Sequence, residues 1–528
     1  MATPNATPYS PDDSQDTGWL ANGDPRDISA NLRADRWVVF ILLAITCLRS
    51  LAILASPLEL GVDEAQYWLW SQTFDFGYFT KPPLTSWIIG LSHAVFGHHQ
   101  WAVRLPAPWL HLLTALVLWR GAVWLASPAA GRRAALLWIT LPAVGLGSFL
   151  MSTDTPLLLF WSAGLLAIIG VMGNRVGMQR GMVLAGAAFG IAFLAKYAAI
   201  YAIPGLVLLI VITRIWQPDT RLSLMSLVWF GGGFLLLASP NLIWNLSHDF
   251  ATVRHLGDNA NLARQSYDIG NSIRFIGAQF LTAGPLVFAL MLGVFRLRTA
   301  AATHVLLFAF SVPPLLIITL QAFLSEANAN WALTAMPALV LWLAIWPSQP
   351  PRVPASPPRR FLGGRFLGGR FLTRRHQVGM ATGVNILLAA ILVAICWAGS
   401  MGPMTPESDP LRRLRGWHDL AADTRAALTA HDARTVIADR RASAALLHWH
   451  FHDSDITVLV HDNDGYPSNH FEANHPWTPT PGRRIVALDA QDTPPAIGTV
   501  LWNADAALSD TVIAQNRSRR LYLFSGIE

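Results

Sequence analysis

Charge is scarce in this chain. Only 13% of its 528 residues are Asp, Glu, Lys or Arg, while 53% are hydrophobic and the mean hydropathy is +0.38. A soluble globular domain carries about 25% charged residues, so an ordinary soluble fold is excluded. Lysine is scarcer still: of 38 basic residues only Lys81 and Lys196 are lysines, leaving 36 arginines. The two cysteines, Cys47 and Cys396, fall inside apolar runs. They read as small core residues and speak against a disulfide scaffold or a cysteine metal centre. Gly-rich phosphate loops of the usual kind are missing, so no nucleotide site is expected; no cofactor, metal or nucleic-acid partner is expected either. The first 36 residues are polar, rich in Pro, Asp and Asn, and have no apolar core. They read as a disordered cytoplasmic tail rather than a cleaved signal peptide.

What the chain has in abundance is long apolar runs. A helix that crosses a bilayer needs roughly 17–25 mostly apolar residues. Eleven segments are candidates: 37–56, 103–126, 134–151, 155–172, 181–196, 198–213, 223–239, 275–295, 302–321, 331–347 and 380–399. The pair flanking Lys196 reads either as two spans or as one broken helix. Segment 84–97 is apolar but short, which favours a re-entrant or interfacial helix. The expected fold class is a polytopic α-helical membrane protein with about 11 spans over 37–400 and an external first loop at 57–102.

Arginine placement sets the expected orientation, because loops on the cytoplasmic side hold the excess of positive charge. With the N-terminus inside, Arg132, Arg133, Arg175, Arg180, Arg214, Arg221, Arg296 and Arg298 are cytoplasmic, as is the basic loop 348–379. The acids fall on the other side: Glu59, Asp63, Glu64, Asp75, Asp154, Asp249, Asp258, Asp268 and Glu326, with only Asp219 inside. The loop repeats a five-residue unit in RFLGGRFLGGRFLTRR at 360–375. Contact with anionic lipid is one reading of it; a duplicated loop that only sets topology is the simpler one.

From about residue 401 the composition changes and charges return. Short β-like runs at 434–440, 456–460, 484–490, 499–502 and 520–524 alternate with helical stretches such as 417–431. This predicts an extracytoplasmic, periplasmic α/β domain over 401–528, of ordinary single-domain size. In 446–455, LLHWHFHDSD, the residues His448, His450 and His452 share one face if the segment is a strand,. An exposed edge strand is the plain reading, and a metal site the sharper one.

The stretch from Gly61 to Leu84, GVDEAQYWLWSQTFDFGYFTKPPL, places two acids, an aromatic run and a lysine just outside the first span. Glu64 reads well as a solvated loop acid. Asp63 is flanked by Tyr67, Trp68 and Trp70, which should pin the segment at the lipid interface. A carboxylate held there is partly desolvated and suited to general-base work. Asp154, before Thr155 and Pro156, reads as an N-cap of the following helix, and capping does not exclude catalysis. Both lysines fall on the external face, where a compact ammonium suits a phosphate oxygen. Snorkelling at a helix end is the plain reading of Lys196. Pro82 and Pro83 are expected to hold the backbone beside Lys81 extended and stiff. A later external loop adds His248, Asp249, Arg254 and His255, each of which alone reads as structural, and another adds Glu326, Asn328 and Asn330, groups fit to bind sugar hydroxyls.

An outer-face acid, a nearby Lys-Pro-Pro, a second acid opening a later span and a trailing external domain together resemble the GT-C superfamily of membrane glycosyltransferases. The likeness is to family 39-like members, such as the aminoarabinose transferases of lipid A and the protein O-mannosyltransferases. By motif it covers about residues 37–350, and beyond that it is architectural only. The resemblance implies an inverting enzyme in the bacterial inner membrane. It would move a sugar from a polyprenyl-phosphate donor to an outer-face acceptor, whether lipid A, another envelope glycan or a protein. It implies Asp63 as the catalytic acid-base residue, Asp154 as the second acid, and Lys81, with Lys196 and Arg254, as ligands of the donor phosphate. Glu64, Gln66, Tyr67, His248, Asp249, Glu326 and Asn330 would line the substrate site. Two departures stand out: the aminoarabinose enzymes have an arginine where this chain has Gln66, and an acid where it has Thr80. They remove one cation from the phosphate site and speak against aminoarabinose as the sugar. A transporter or flippase of lipid-linked sugars, or a membrane scaffold, is the alternative. Transporters carry ionisable residues at the bilayer midplane and inverted repeats, whereas here the charges gather at the outer interface and no repeat is evident.

Overall fold

Runs of Leu, Ile, Ala and Phe in lipid dictate helices, because each helix satisfies its own backbone. The structure, a computed structural model, describes residues 25–528 except 217–221, 251, 253–266, 295–301, 349–372, 403–408, 462–466, 479–483, 490–506, 514–516 and 526–528. Among the described residues nine helices are long and apolar enough to cross a membrane. They are Arg33–Ala55, Gln100–Leu125, Asp154–Met172, Met178–Ala195, Tyr197–Trp216, Leu224–Ser247, Ala302–Leu324, Ala329–Ser348 and Arg374–Ala398. The pair Ile269–Ala283 and Pro285–Gly293, bent by 113°, adds a tenth if taken as one span. Phe40, Leu236 and Leu281, at 62%, 70% and 71% exposure, face outward as a lipid-contacting surface requires.

The expectation of about eleven spans fails on length at 134–151. Pro142 and the extended Leu141 (ψ 135°) split that segment into Pro128–Thr140 and Pro142–Gly147, each too short to span alone. The segment nevertheless returns the chain. The helix Pro106–Leu125 leads away from Arg104, and beyond the break the Met151 N–H reaches the same Glu64 carboxylate that pairs with Arg104. Buried Arg49 braces the break, donating to the Ile139 carbonyl (2.8 Å) and to Ser148 Oγ (3.0 Å). The first helix starts at Pro25, so residues 25–36 of the expected disordered tail are helical. Cys47 is exposed and only Cys396 is buried, which corrects the reading of both as core residues. The repeat at 360–375 lies outside the described residues except for its last three positions.

Glycine sets the tightest helix pair. A Cβ on Gly186 would lie 1.9 Å from the Phe230 carbonyl oxygen, and one on Gly233 would lie 2.2 Å from that of Val183. Met178–Ala195 and Leu224–Ser247 can approach so closely only because both faces are small. This contact holds the end of the first helix, at Lys196, beside the Asn241 and Asn245 turns of the second.

The C-terminal domain, named the outer domain after its expected side, carries a five-stranded sheet in the order β2-β1-β3-β5-β4. Its strands are β1 (Thr435–Ala438), β2 (Thr457–Val460), β3 (Arg484–Asp489), β4 (Ala507–Ile513) and β5 (Arg517–Ser525). β1 pairs in parallel with β2 and β3, with Val436 opposite Val458 and Val486, while β5 runs antiparallel to β3 and β4. Val436, Val458 and Val486 pack with Trp417 and Leu420 of helix Trp417–Ala430 and with Leu446 of helix Arg441–His450. Ile437, Ile485 and Trp477 cover the other face. An α/β domain was expected here, but 499–502 lies outside the described residues. The segment 446–455 is not a strand: it is helical to His450 and then turns. Its Ala-Ser-Ala-Ala-Leu-Leu lead-in favours helix, and Leu446, Leu447 and Trp449 bury one flank of it. His448, His450 and His452 therefore do not share a face.

Candidate active site

Asp63 and Glu64 open the helix Val62–Ser71, where the helix dipole favours acids,. Consecutive helical residues point about 100° apart, and the two acids have opposite fates. Glu64 is 3% exposed and forms a forked pair with Arg104: Nε to Oε1 at 2.9 Å and Nη2 to Oε2 at 2.8 Å. It also accepts from the Gly61 N–H (2.9 Å) and the Met151 N–H (3.0 Å). With four donors satisfied it has no capacity left for a sugar hydroxyl. The reading of Glu64 as a solvated loop acid is thus overturned, and the side chain is a buried tie between three segments.

Asp63 is exposed on the other flank, and its Oδ1 pairs with Arg441 Nη2 from the outer domain. The same guanidinium donates through Nε to Gln66 Oε1 at 2.5 Å. The aromatic run does not hold this helix against lipid as expected. Tyr67, Trp68 and Trp70 are 2–3% exposed. Trp68 packs edge-on to Trp449 of the outer domain (4.8 Å), and Trp70 stacks on Tyr78 (5.0 Å) and meets His470 edge-on (5.5 Å). The run docks the outer domain onto the helix that carries Asp63. Burial pushes the Tyr67 phenol well above its usual range, and the nearby Asp63 adds to that, so Tyr67 is a neutral hydrogen-bonding group at neutral pH.

The second acid sits deeper. Asp154 begins the helix Asp154–Met172, but its carboxylate does not cap that helix. Oδ1 accepts from Lys196 Nζ at 2.7 Å and Oδ2 from Asn330 Nδ2 at 2.7 Å. Lys196 lies at a helix break, extended (φ −159°, ψ 135°) between Met178–Ala195 and the 3₁₀ turn Tyr197–Tyr201. It is an ion-pair partner rather than a snorkelling side chain. Two spans therefore flank it.

Lys81 is positioned by a pinned loop. Asn241 Nδ2 donates to the Phe76 carbonyl (2.7 Å), Thr252 Oγ1 to that of Tyr78 (2.9 Å), and the Tyr78 N–H to that of Lys81 (3.1 Å). Gly77 is required there, since a Cβ would lie 2.3 Å from the Trp244 ring. Pro83 does not stay extended: at φ −85° and ψ −22° it opens the short apolar helix Leu84–Phe96. Lys81 and Lys196 line one cavity of about 680 Å³, whose other walls include Phe193, Tyr201, Leu242, Ile317 and Trp331. An apolar chamber with two ammonium groups suits an amphiphile with an anionic head.

Burial, and then the charge of Lys196, hold the Lys81 ammonium below its usual range. A lysine so shifted loses its charge at lower pH than an ordinary one, whose pKa is about 10.4. Its attraction for a phosphate is complete at low pH and lost as pH rises through the lowered value. Affinity for polyprenyl phosphate, titrated across a pH series, should therefore weaken on the alkaline side earlier than an ordinary lysine would allow. Lys81→Arg should remove that early fall.

Other expected site residues are not gathered in. His248 stacks on Trp244 (4.0 Å) at an exposed helix end, Asp249 is exposed at a positive φ (52°), and Glu326 is exposed. No described contact carries them to the cluster. Arg254 lies outside the described residues. Three participants were not foreseen. Tyr197 and Asn245 line the cavity and are linked by a 3.0 Å hydrogen bond, and Arg441 enters from the outer domain. A trace of Arg441 exists in the sequence: two arginines, Arg440 and Arg441, stand at a helix N-terminus, where the dipole disfavours cations, and so call for partners elsewhere.

Comparison with known proteins agrees with this architecture. The chain is 30% identical over 446 residues to the lipid A galacturonosyltransferase RgtD of Rhizobium johnstonii, covering 82% of this chain and 86% of that protein. The chain belongs to the GT-C superfamily of membrane glycosyltransferases. It is a multi-pass transferase that uses a polyprenyl-phosphate sugar. A family model described as dolichyl-phosphate-mannose-protein mannosyltransferase matches residues 80–244. ArnT from Cupriavidus metallidurans superposes with a TM-score of 0.60 in its apo state and also bound to undecaprenyl phosphate. Sequence identities are 15% and 13%, and 93% of this chain is covered in each case, so ArnT speaks for the fold.

Proposed function

We propose that this transferase moves a sugar from polyprenyl phosphate to a lipid A-type glycolipid at the outer face of the bacterial inner membrane. The N-terminus is then cytoplasmic and the 401–528 domain periplasmic. The observation that carries the reading is an apolar cavity lined by Lys81 and Lys196, with Asp154 paired to Lys196 and Asp63 near enough to act on the Lys81 charge, in a chain related to a lipid A galacturonosyltransferase.

The chemistry follows from the charges. An acceptor hydroxyl attacks the anomeric carbon from the face opposite the phosphate, and Asp63 takes its proton. The new C–O bond forms as the old one breaks. The leaving electron pair goes to the phosphate oxygen, and the configuration inverts. Lys81 faces the charge that builds on the phosphate, in a partly dry chamber where such a contact is strong. Asp154 holds Lys196 and Asn330 in place beside it. The relative's name favours a uronic sugar, and the neutral Thr80 and the pairing of Asp63 and Asp154 with cations disfavour an amino sugar.

Mass spectrometry of envelope glycolipids tests this. Cells carrying Asp63→Asn at the wild-type protein level should show one glycolipid lighter by a single sugar. An unchanged glycolipid profile in that strain, alongside a changed one in the deletion strain, would point to transport or scaffolding instead.

A further inference from the structure

The outer domain does more than rest on the membrane core, because it inserts Arg441 between Asp63 and Gln66. Arg441 stands at the first position of helix Arg441–His450, where its charge opposes the dipole, so the helix itself gains nothing from it. The pair with Asp63 is also too open to be kept for stability. The two side chains are 38% and 62% exposed, and exposed ion pairs contribute little. The neighbouring pairs differ: Arg104 with Glu64 and Lys196 with Asp154 are largely buried.

Two donors at this point lack acceptors among the described residues. Arg441 uses Nε and Nη2, and its Nη1, on a side chain 38% exposed, has no acceptor among the described residues. Gln66 is 0% exposed, and its Nε2 is buried without a partner. A buried donor left unsatisfied is costly, so an acceptor that reaches Gln66 Nε2 on binding is favoured. Among the described residues, both carboxylates of the site are already engaged by cations, which disfavours a positively charged sugar.

We propose that Arg441 is the residue that reads the carboxylate of a uronic-acid sugar on the donor, and that this exchange releases Asp63. The guanidinium fork matches a carboxylate's two oxygens, and the second oxygen supplies the acceptor that Gln66 Nε2 lacks. As Arg441 turns to the sugar, Asp63 Oδ1 is freed to accept the proton of the acceptor hydroxyl. Only a donor with the right charge then produces a competent base. The proposal rests on the transferase reading and names its sugar class.

The test uses full-length protein in lipid nanodiscs with lipid A as acceptor. Two donors are compared, polyprenyl-phosphate galacturonic acid and polyprenyl-phosphate galactose, which differ only in the carboxylate. Wild type should favour the uronic donor by about 10²-fold in kcat/KM. Arg441→Gln should bring that ratio close to one, and Arg441→Lys, which keeps the charge but loses the fork, should give an intermediate ratio. Arg441→Lys also serves as the readout should the Gln variant not fold. A ratio that stays at the wild-type value in both variants, with both donors slowed alike, would show that Arg441 serves only Asp63 and overturn the proposal. Wild-type protein that moves both sugars equally overturns this assignment alone. Wild-type protein that moves neither overturns the sugar assignment together with the lipid A reading beneath it.

Discussion

Asp63→Asn should lower kcat by about 10²–10⁴-fold, the range that a positioned general base supplies, while leaving donor affinity close to wild type. The substitution keeps size and hydrogen-bonding shape, and removes only the ability to take a proton. Asp63 is exposed and does not itself line the cavity that holds Lys81 and Lys196, so the lipid should still bind. The comparison that matters is with Lys81→Ala, which should act chiefly on donor affinity. A kcat loss with intact donor binding marks a group used in the transition state. Equal losses in both variants, confined to binding, would remove Asp63 from the chemistry.

The second large effect is on stability. Glu64→Ala should destabilise the folded protein by about 3–5 kcal/mol, the cost of leaving a buried partner charge uncompensated. Arg104 would keep its bonds to the Leu58 and Glu59 carbonyls but lose the forked carboxylate, and the Met151 N–H would lose its acceptor. Thermal denaturation in detergent reads this out, and the Glu64→Ala, Arg104→Ala double variant should be less damaged than the two single losses summed. A Glu64→Ala protein as stable as wild type would return this side chain to the list of substrate contacts. Neighbouring acids thus make opposite predictions: Asp63 governs turnover, and Glu64 governs folding.

That contrast shows what a linear reading reaches. The spans other than 134–151 and the strands near 435, 457 and 485 were legible, because each rests on local pattern: apolar length and β-branched runs. Asp63 and Glu64 were harder to separate. Their difference comes from a helical turn and from Arg104, 40 residues away. The run after Arg441 misled through the alternation His448, His450, His452, which mimics a strand, while burial followed the helical period of Leu446, Leu447 and Trp449. Pro142 was visible, but its effect of dividing a membrane segment was not, because the freed backbone finds its support in Arg49 from another helix.

The expected loss of one cation at Gln66 is answered in the same way. Arg441 supplies a guanidinium at that residue from 375 positions further along the chain. No local pattern encodes such a contact. It exists because Trp68 and Trp449, and Trp70 and His470, bring two domains face to face. Asp63 and the outer-domain cation Arg441 are therefore set by one aromatic interface, and damage to that interface should reach Asp63.

The most direct measurement of the central claim is a reconstituted transfer reaction. Purified protein in nanodiscs is given a polyprenyl-phosphate sugar and lipid A, and both lipids are followed by mass spectrometry. The account predicts that lipid A gains one sugar mass while free polyprenyl phosphate appears in equal amount, and that Asp63→Asn abolishes both changes together. Donor and lipid A left unchanged, with the same protein in sealed vesicles carrying the intact sugar lipid across the bilayer, would contradict it.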